Sequence, residues 1–170
     1  MSGLTRCLAS ALIFMYVAAA PTAQAQEQSV PIKDAPAAVL RAASGRFPQA
    51  TIVAVAKEME EGKELYEVTM KQAGRNIDVT ATPAGTLTLI EREIRRAELP
   101  APVARLLATQ YGGATYRRFE EVVAVQAGTE TLSFYEVLLV DAKTDTLEVE
   151  IAPDGSRILK IEKKRPGDTD

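Results

Sequence analysis

The chain has no histidine and no tryptophan, and its one cysteine, Cys7, lies near the N-terminus. Without histidine there is no Ser-His-Asp or Cys-His catalysis and no ordinary zinc or haem ligation. Once Cys7 is removed with a leader there is also no thiol nucleophile, no disulfide and no thiolate metal site, so the core alone must hold the fold. A Gly-rich phosphate loop and a nucleophile motif are missing as well. No catalytic residue, metal ligand set or cofactor is therefore assigned, and the chain is read as a non-enzyme. Basic residues are not in excess, with 20 Lys and Arg against 23 Asp and Glu. That balance argues against a nucleic-acid partner, which needs phosphates neutralised.

Long apolar runs are equally scarce. Leu8 to Ala20 is 13 residues long, short of the roughly 20 a spanning helix needs. Arg6 ahead of it, Pro21 behind it and Ala23-Gln24-Ala25 make it a signal peptide over 1–25 with an A-x-A cleavage site. Removing 25 of 170 residues leaves 145, with no membrane span and a net charge of −4, because the leader holds one base and no acid. The expected location is periplasmic or secreted.

What is present is a duplication. Leu65-Tyr66-Glu67-Val68 returns as Phe134-Tyr135-Glu136-Val137. Asp34 to Arg41 matches Glu98 to Arg105 at an offset of 64, which also pairs Phe47 with Tyr111. The offset reaches 69 at the tyrosines and 70 at the turns Pro83-Ala84-Gly85 and Pro153-Asp154-Gly155, so the extra residues fall in turns, where insertions are tolerated. In each half an acid and a proline open a helical pattern (Val39, Leu40, Ala43, Phe47; Val103, Leu106, Leu107, Tyr111). Four alternating strands follow. In the first half they centre on Val53, Tyr66-Val68-Met70, Ile77-Val79-Ala81 and Leu87-Leu89. In the second they cover Thr115 to Val125, Thr131 to Val140, Leu147-Val149-Ile151 and a last strand ending near Ile161.

The expected fold is α+β: two tandem helix-plus-four-strand antiparallel repeats, with the helices packed on one face of the sheet or sheets. The boundaries are a flexible leader over 26–33, repeat 1 over 34–96, repeat 2 over 97–162 and a disordered tail over 163–170. Glu91 to Arg96 reads as a solvated strand end and linker. Asp141 to Glu148 lacks the central Gly of a calcium loop and has Lys143 at a ligand position, so it reads as a hairpin turn.

Helix, Tyr-Glu-Val strand, alternating strand, x-Gly turn and final strand together resemble a tandem PepSY-like domain. That family is in turn similar to beta-lactamase inhibitory protein, another duplicated helix-plus-four-strand module. The resemblance spans about Asp34 to Glu162. Asp154-Gly155 fits its turn well, and Ala84-Gly85 departs by losing the Asp. It implies an exported or envelope-attached binding module, with peptidase inhibition as one proposed role and no shared catalytic residue.

Four residues stand out as candidate binding positions: Tyr66, Glu67, Tyr135 and Glu136. The glutamates read either as a carboxylate pair facing a partner or as the wet face of half-buried strands. The tyrosines read as core residues with the hydroxyl reaching water, or as binding-surface aromatics. The function expected is a non-enzymatic module that binds an exported or envelope protein, with inhibition of a hydrolase as a sub-reading. The alternatives are a small-ligand or divalent-cation sensor and a carboxylate-based hydrolase.

Overall fold

The computed structural model describes residues 28–60 and 62–164. The segment read as a signal peptide, the start of the expected leader and the end of the expected tail lie outside these residues. Two helices, α1 (Ala37–Arg46) and α2 (Ala101–Gln110), accompany nine strands. The first half holds β1 (Gln28–Ser29), β2 (Thr51–Glu60), β3 (Lys63–Gln72), β4 (Arg75–Ala81) and β5 (Leu87–Glu93). The second holds β6 (Thr115–Gln126), β7 (Thr129–Val140), β8 (Thr146–Ile151) and β9 (Ile158–Lys163). They form one sheet in the order β1 to β9, every neighbour antiparallel. The two repeats thus share a continuous sheet, joined where β5 pairs with β6.

Period-two alternation sends one set of side chains to the helix face. Val68, Val79, Ile90 and Val123 lie opposite one another on adjacent strands. They pack under Val39, Ala43 and Phe47 of the α1 segment. Tyr135, Val137, Leu139, Val149 and Ile151 do the same under Val103 and Leu107 of α2. Leu132 touches both cores. Ten-residue helices are marginal alone, so burial of Val39 and Val103 (each 0% exposed) holds them in place. Each such valine contributes roughly 1.5–3 kcal/mol.

The acids ahead of the helices do not cap them. Asp34 and Glu98 each end a short 3-10 turn, and the N-cap residues are Pro36 and Pro100. Glu98 instead accepts from the Arg95 backbone N–H at 2.7 Å and from the side chains of Arg95 and Arg75, which hold its carboxyl down at about 2. The leader is partly ordered: Gln28–Ser29 pairs with Lys57 and Ala56 of β2. Lys163 belongs to β9, because the last strand runs two residues past Ile161.

The phase of β5 differs from simple alternation. A bulge shifts the register between Thr80 and Ala81, which pair with Leu89 and Leu87 and leave Thr88 extra. Leu87 therefore joins the helix-face core, while Leu89 turns to the opposite face beside Thr80. Ile90 takes the core position, and Glu91 to Glu93 continue the strand into the middle of the sheet. The run read as a linker is in its first half a central strand.

The two Pro-x-Gly turns each touch the start of a helix. Gly85 (φ +83°) brings its Cα so close to α1 that an added Cβ would lie 2.6 Å from the Ala38 carbonyl oxygen. At Gly155 (φ +67°) it would lie 2.5 Å from the Val103 nitrogen. Neither position tolerates a side chain, on grounds of backbone conformation and of space. Gly85→Ala and Gly155→Ala should each destabilise the fold by about 2–4 kcal/mol. Gly74→Ala, at positive φ but facing open space, should cost only about 1–2 kcal/mol. Urea unfolding of the three variants checks the order; equal losses would show that the helix contact adds nothing.

Candidate functional site: an acidic cleft across both repeats

The face opposite the helices is not a uniformly wet surface. Residues from β2 through β8 line one cleft of about 390 Å³, which requires the sheet to curl toward that side. Six carboxylates, those of Glu58, Glu67, Asp78, Glu91, Glu136 and Glu148, line it together with Thr69, Asn76, Arg118 and Lys164, and further acids lie on the same face. Glu93 lies directly opposite Glu120, Glu120 opposite Glu136, and Glu136 opposite Glu150. Four glutamates thus form a ladder across β5 to β8. It ends at Lys160, opposite Glu150 on β9, with Nζ 3.5 Å from the carboxylate. A second row sets Asp78 against Glu91. Like charges directly opposite on neighbouring strands destabilise a sheet, so this arrangement works against the fold that carries it.

Burial deepens the conflict. Glu120 is 3% exposed. Glu91 has Asp78 on one side and the fully buried Val122 on the other. Loss of solvent, then the charges of Glu136, Glu120, Glu67 and Asp78, push the Glu91 carboxyl up to about 9. Burial and then Glu148 and Glu120 take Glu136 to about 8. Glu120 reaches about 7, because burial outweighs the opposing pull of Arg118, whose Nε lies 2.9 Å from it. Two cations reach the second-repeat end of the cleft: Arg118, and Lys164, which holds Glu148 at 2.7 Å. Toward β3, β4 and β5 the cleft is lined by Glu67, Asp78 and Glu91. Among the described residues no group of three or more potential ligands is arranged to hold a metal ion.

The four candidate residues separate into two pairs. Glu67 and Glu136 both line the cleft. Tyr66 and Tyr135 lie on the helix side in the two cores. The Tyr66 hydroxyl donates to Glu64 at 3.0 Å, and Lys57 pairs with the same carboxylate. Tyr135 is 7% exposed, and burial raises its hydroxyl pKa. Asp141 to Asp145 forms a tight turn: Asp141 Oδ1 accepts from the Lys143 and Asp145 backbone N–H groups, both at 2.9 Å.

The reading of residues missed Glu91, Glu93 and Glu120. Glu91 and Glu93 fall in the run that reads as strand end and linker, and Glu120 carries no motif that singles it out. A signal was available. Acids alternate with core residues on several strands, at Asp78 of β4, Glu136 of β7 and Glu148 and Glu150 of β8. Placing Glu93 and Glu120 in one row, with Glu91 on the same face, needed the β5–β6 pairing and the bulge at Thr88.

Neither a family model nor a curated protein matches the sequence. The fold is shared with solved structures. A DUF2874 family protein from Bacteroides uniformis superposes with a TM-score of 0.59 at 19% identity, over 76% of this chain and 89% of that one. A candidate periplasmic protein from Bacteroides eggerthii gives 0.60 at 16% identity, covering 76% and 88%. A BLIP-like protein from Bacteroides fragilis gives 0.55 at 16%, covering 78% and 89%. At these identities the likeness is one of architecture.

The desolvated acids of this face make stability depend on pH with a definite sign. Folded Glu91, Glu120 and Glu136 keep protons up to about 9, 7 and 8, whereas the unfolded chain releases them near 4.5. The folded state binds more protons across that window, so stability falls as pH rises from about 4.5 to about 9. Glu98, lowered to about 2, loses its contribution only below the window. The melting temperature should be highest at the acid end and fall toward the alkaline end. Glu91→Gln should flatten the profile and stabilise the alkaline side by about 1–2 kcal/mol. A wild-type melting temperature that climbs with pH would contradict this assignment.

Proposed function

We propose that this chain is an exported, non-catalytic binding module that takes a cationic segment of an envelope or secreted protein into the acidic cleft. The single observation that carries the reading is the glutamate ladder. A sheet that holds Glu93, Glu120, Glu136 and Glu150 in one row gives up stability beyond what Arg118 and Lys160 offset, and a bound cation would relieve it. Glu67 and Glu136 contribute one carboxylate from each repeat, so one ligand engages both halves.

The architecture supports the reading in two further ways. It is shared with a BLIP-like protein and with a candidate periplasmic protein, and the leader reads as an export signal. Inhibition of an exported hydrolase is the narrower form of the proposal, in which the captured segment belongs to that enzyme. A divalent cation is the second reading, and against it stands that no group of three or more described carboxylates is arranged to hold one. The two differ in ligand: an extended basic segment spans the row, whereas a single ion recruits only the carboxylates around one point.

Calorimetry of the mature chain with an oligolysine peptide, and separately with calcium or magnesium, tests the proposal. Peptide binding should release protons between pH 7 and 8, where Glu91 and Glu136 are still protonated (about 9 and about 8). It should weaken with salt. Glu91→Gln with Glu136→Gln should weaken it about tenfold or more. Binding of neither peptide nor ion by the folded chain would dismiss the cleft as a cation site. Binding of the ion alone would select the sensor reading.

A further inference from the structure

The two repeats are equivalent position by position, which exposes one position where the second differs from the first. In repeat 1, Val79 pairs with Ile90. In repeat 2 the counterpart of Val79 is Val149, and it pairs with Ile161. Ile161 is therefore the counterpart of Ile90. Ile90 is fully buried and Ile161 is 53% exposed. The cause lies on the far side of each strand. Ile90 is covered by Val123 of β6, whereas β9 ends the strand order with no described strand beyond it.

The backbone of β9 is set to accept such a strand. Lys164 donates its N–H to the Thr146 carbonyl at 3.0 Å. Antiparallel pairing alternates along a strand, so Glu162 and Lys160 also turn their backbone groups toward β8. Ile161 and Lys163 turn theirs to the side where no described strand lies. The same alternation holds at β5, where Ile94 donates to the Phe119 carbonyl at 2.8 Å and Ile90 thus faces β6.

We propose that this edge pairs with β9 of a second copy of the chain, antiparallel about a two-fold axis at Ile161. In that register Ile161 meets its own copy and the two exchange both outward N–H···O=C bonds. The side chains on the helix face continue the second core across the axis, as Val123 does for Ile90 in the first. On the cleft face Lys160 falls opposite Glu162 of the copy, and Glu162 opposite Lys160. Charges on an edge strand ordinarily prevent pairing, but this pair is self-complementary in the one register that also joins the isoleucines. Moving the axis to Glu162 or Lys163 would set like charges against each other. The bulge beside Glu150 falls before Lys160 and leaves the Lys160 to Lys163 edge regular. An isologous contact of this kind closes at two copies and joins two sheets into one of eighteen strands, nine from each copy.

Sedimentation equilibrium of the mature chain should show a mass that doubles as concentration rises from low micromolar to millimolar. Ile161→Pro removes a backbone donor that faces the free edge and none that faces β8; it should stay monomeric with a cooperative melt. Lys160→Glu and Glu162→Lys should each weaken the dimer about tenfold or more. Together in one chain they should restore it, because the pair is then reversed and complementary again. A wild-type chain that is monomeric throughout overturns the proposal and leaves the edge to an extended segment of another protein. A dimer that survives Ile161→Pro, or a double charge variant as weak as the single ones, overturns this register. If Ile161→Pro fails to fold, the charge-exchange set decides alone.

Discussion

The pairing of β5 with β6 is the contact on which the rest of this molecule depends. It turns two marginal helix-and-sheet units into one nine-stranded sheet and seals the first core with a residue of the second repeat, Val123. It also brings Glu93 onto Glu120 and Glu91 onto Val122, which makes a single acidic cleft out of two sets of strand carboxylates. With the halves apart, the acids of each would face water and keep their charge at little cost. Joined, they share a curled face, and the middle of the ladder is buried.

The two faces of the sheet follow opposite physical rules. On the helix face, burial and close packing favour the fold, and turn glycines allow backbone to meet backbone at Gly85 and Gly155. On the cleft face, desolvation and like charge oppose it, and a carboxyl such as that of Glu91 avoids part of the penalty by holding its proton. The exposed ion pairs do little to offset this. Arg46 with Glu130, bidentate at 2.6 and 2.9 Å, ties α1 to the start of β7, but an exposed pair contributes about 1 kcal/mol at most. Apolar burial is therefore the main support for a face that works against stability. That is the pattern expected when a surface serves a ligand rather than the fold.

Much of the architecture was legible from residues alone because its signals are local. Turn glycines, prolines ahead of the helices and strict alternation through Tyr66-Val68-Met70 and Tyr135-Val137-Leu139 depend on neighbours a few positions away. Where local signals misled, a longer-range contact had prevailed. Asp34 and Glu98 looked like helix caps, but 3-10 turns intervene and arginines claim Glu98. Leu87 and Leu89 looked like one face until the bulge at Thr88 separated them. Of the candidate positions, Glu67 and Glu136 sit between apolar neighbours on their strands, and both line the cleft. The acids with the largest shift and the deepest burial, Glu91 and Glu120, carried no mark of their own.

By itself the sequence determined the duplication, the helix-plus-four-strand unit, the absence of histidine chemistry and the excess of acids on alternate strand positions. All of these are properties of composition or of spacing within a few residues. Only the tertiary structure decided that the repeats share one sheet, which acids stand in one row and that β9 is an edge where β5 is not. Those facts concern segments brought together across the chain. Pairing energy between distant strands, not the preference of any short stretch, selects them.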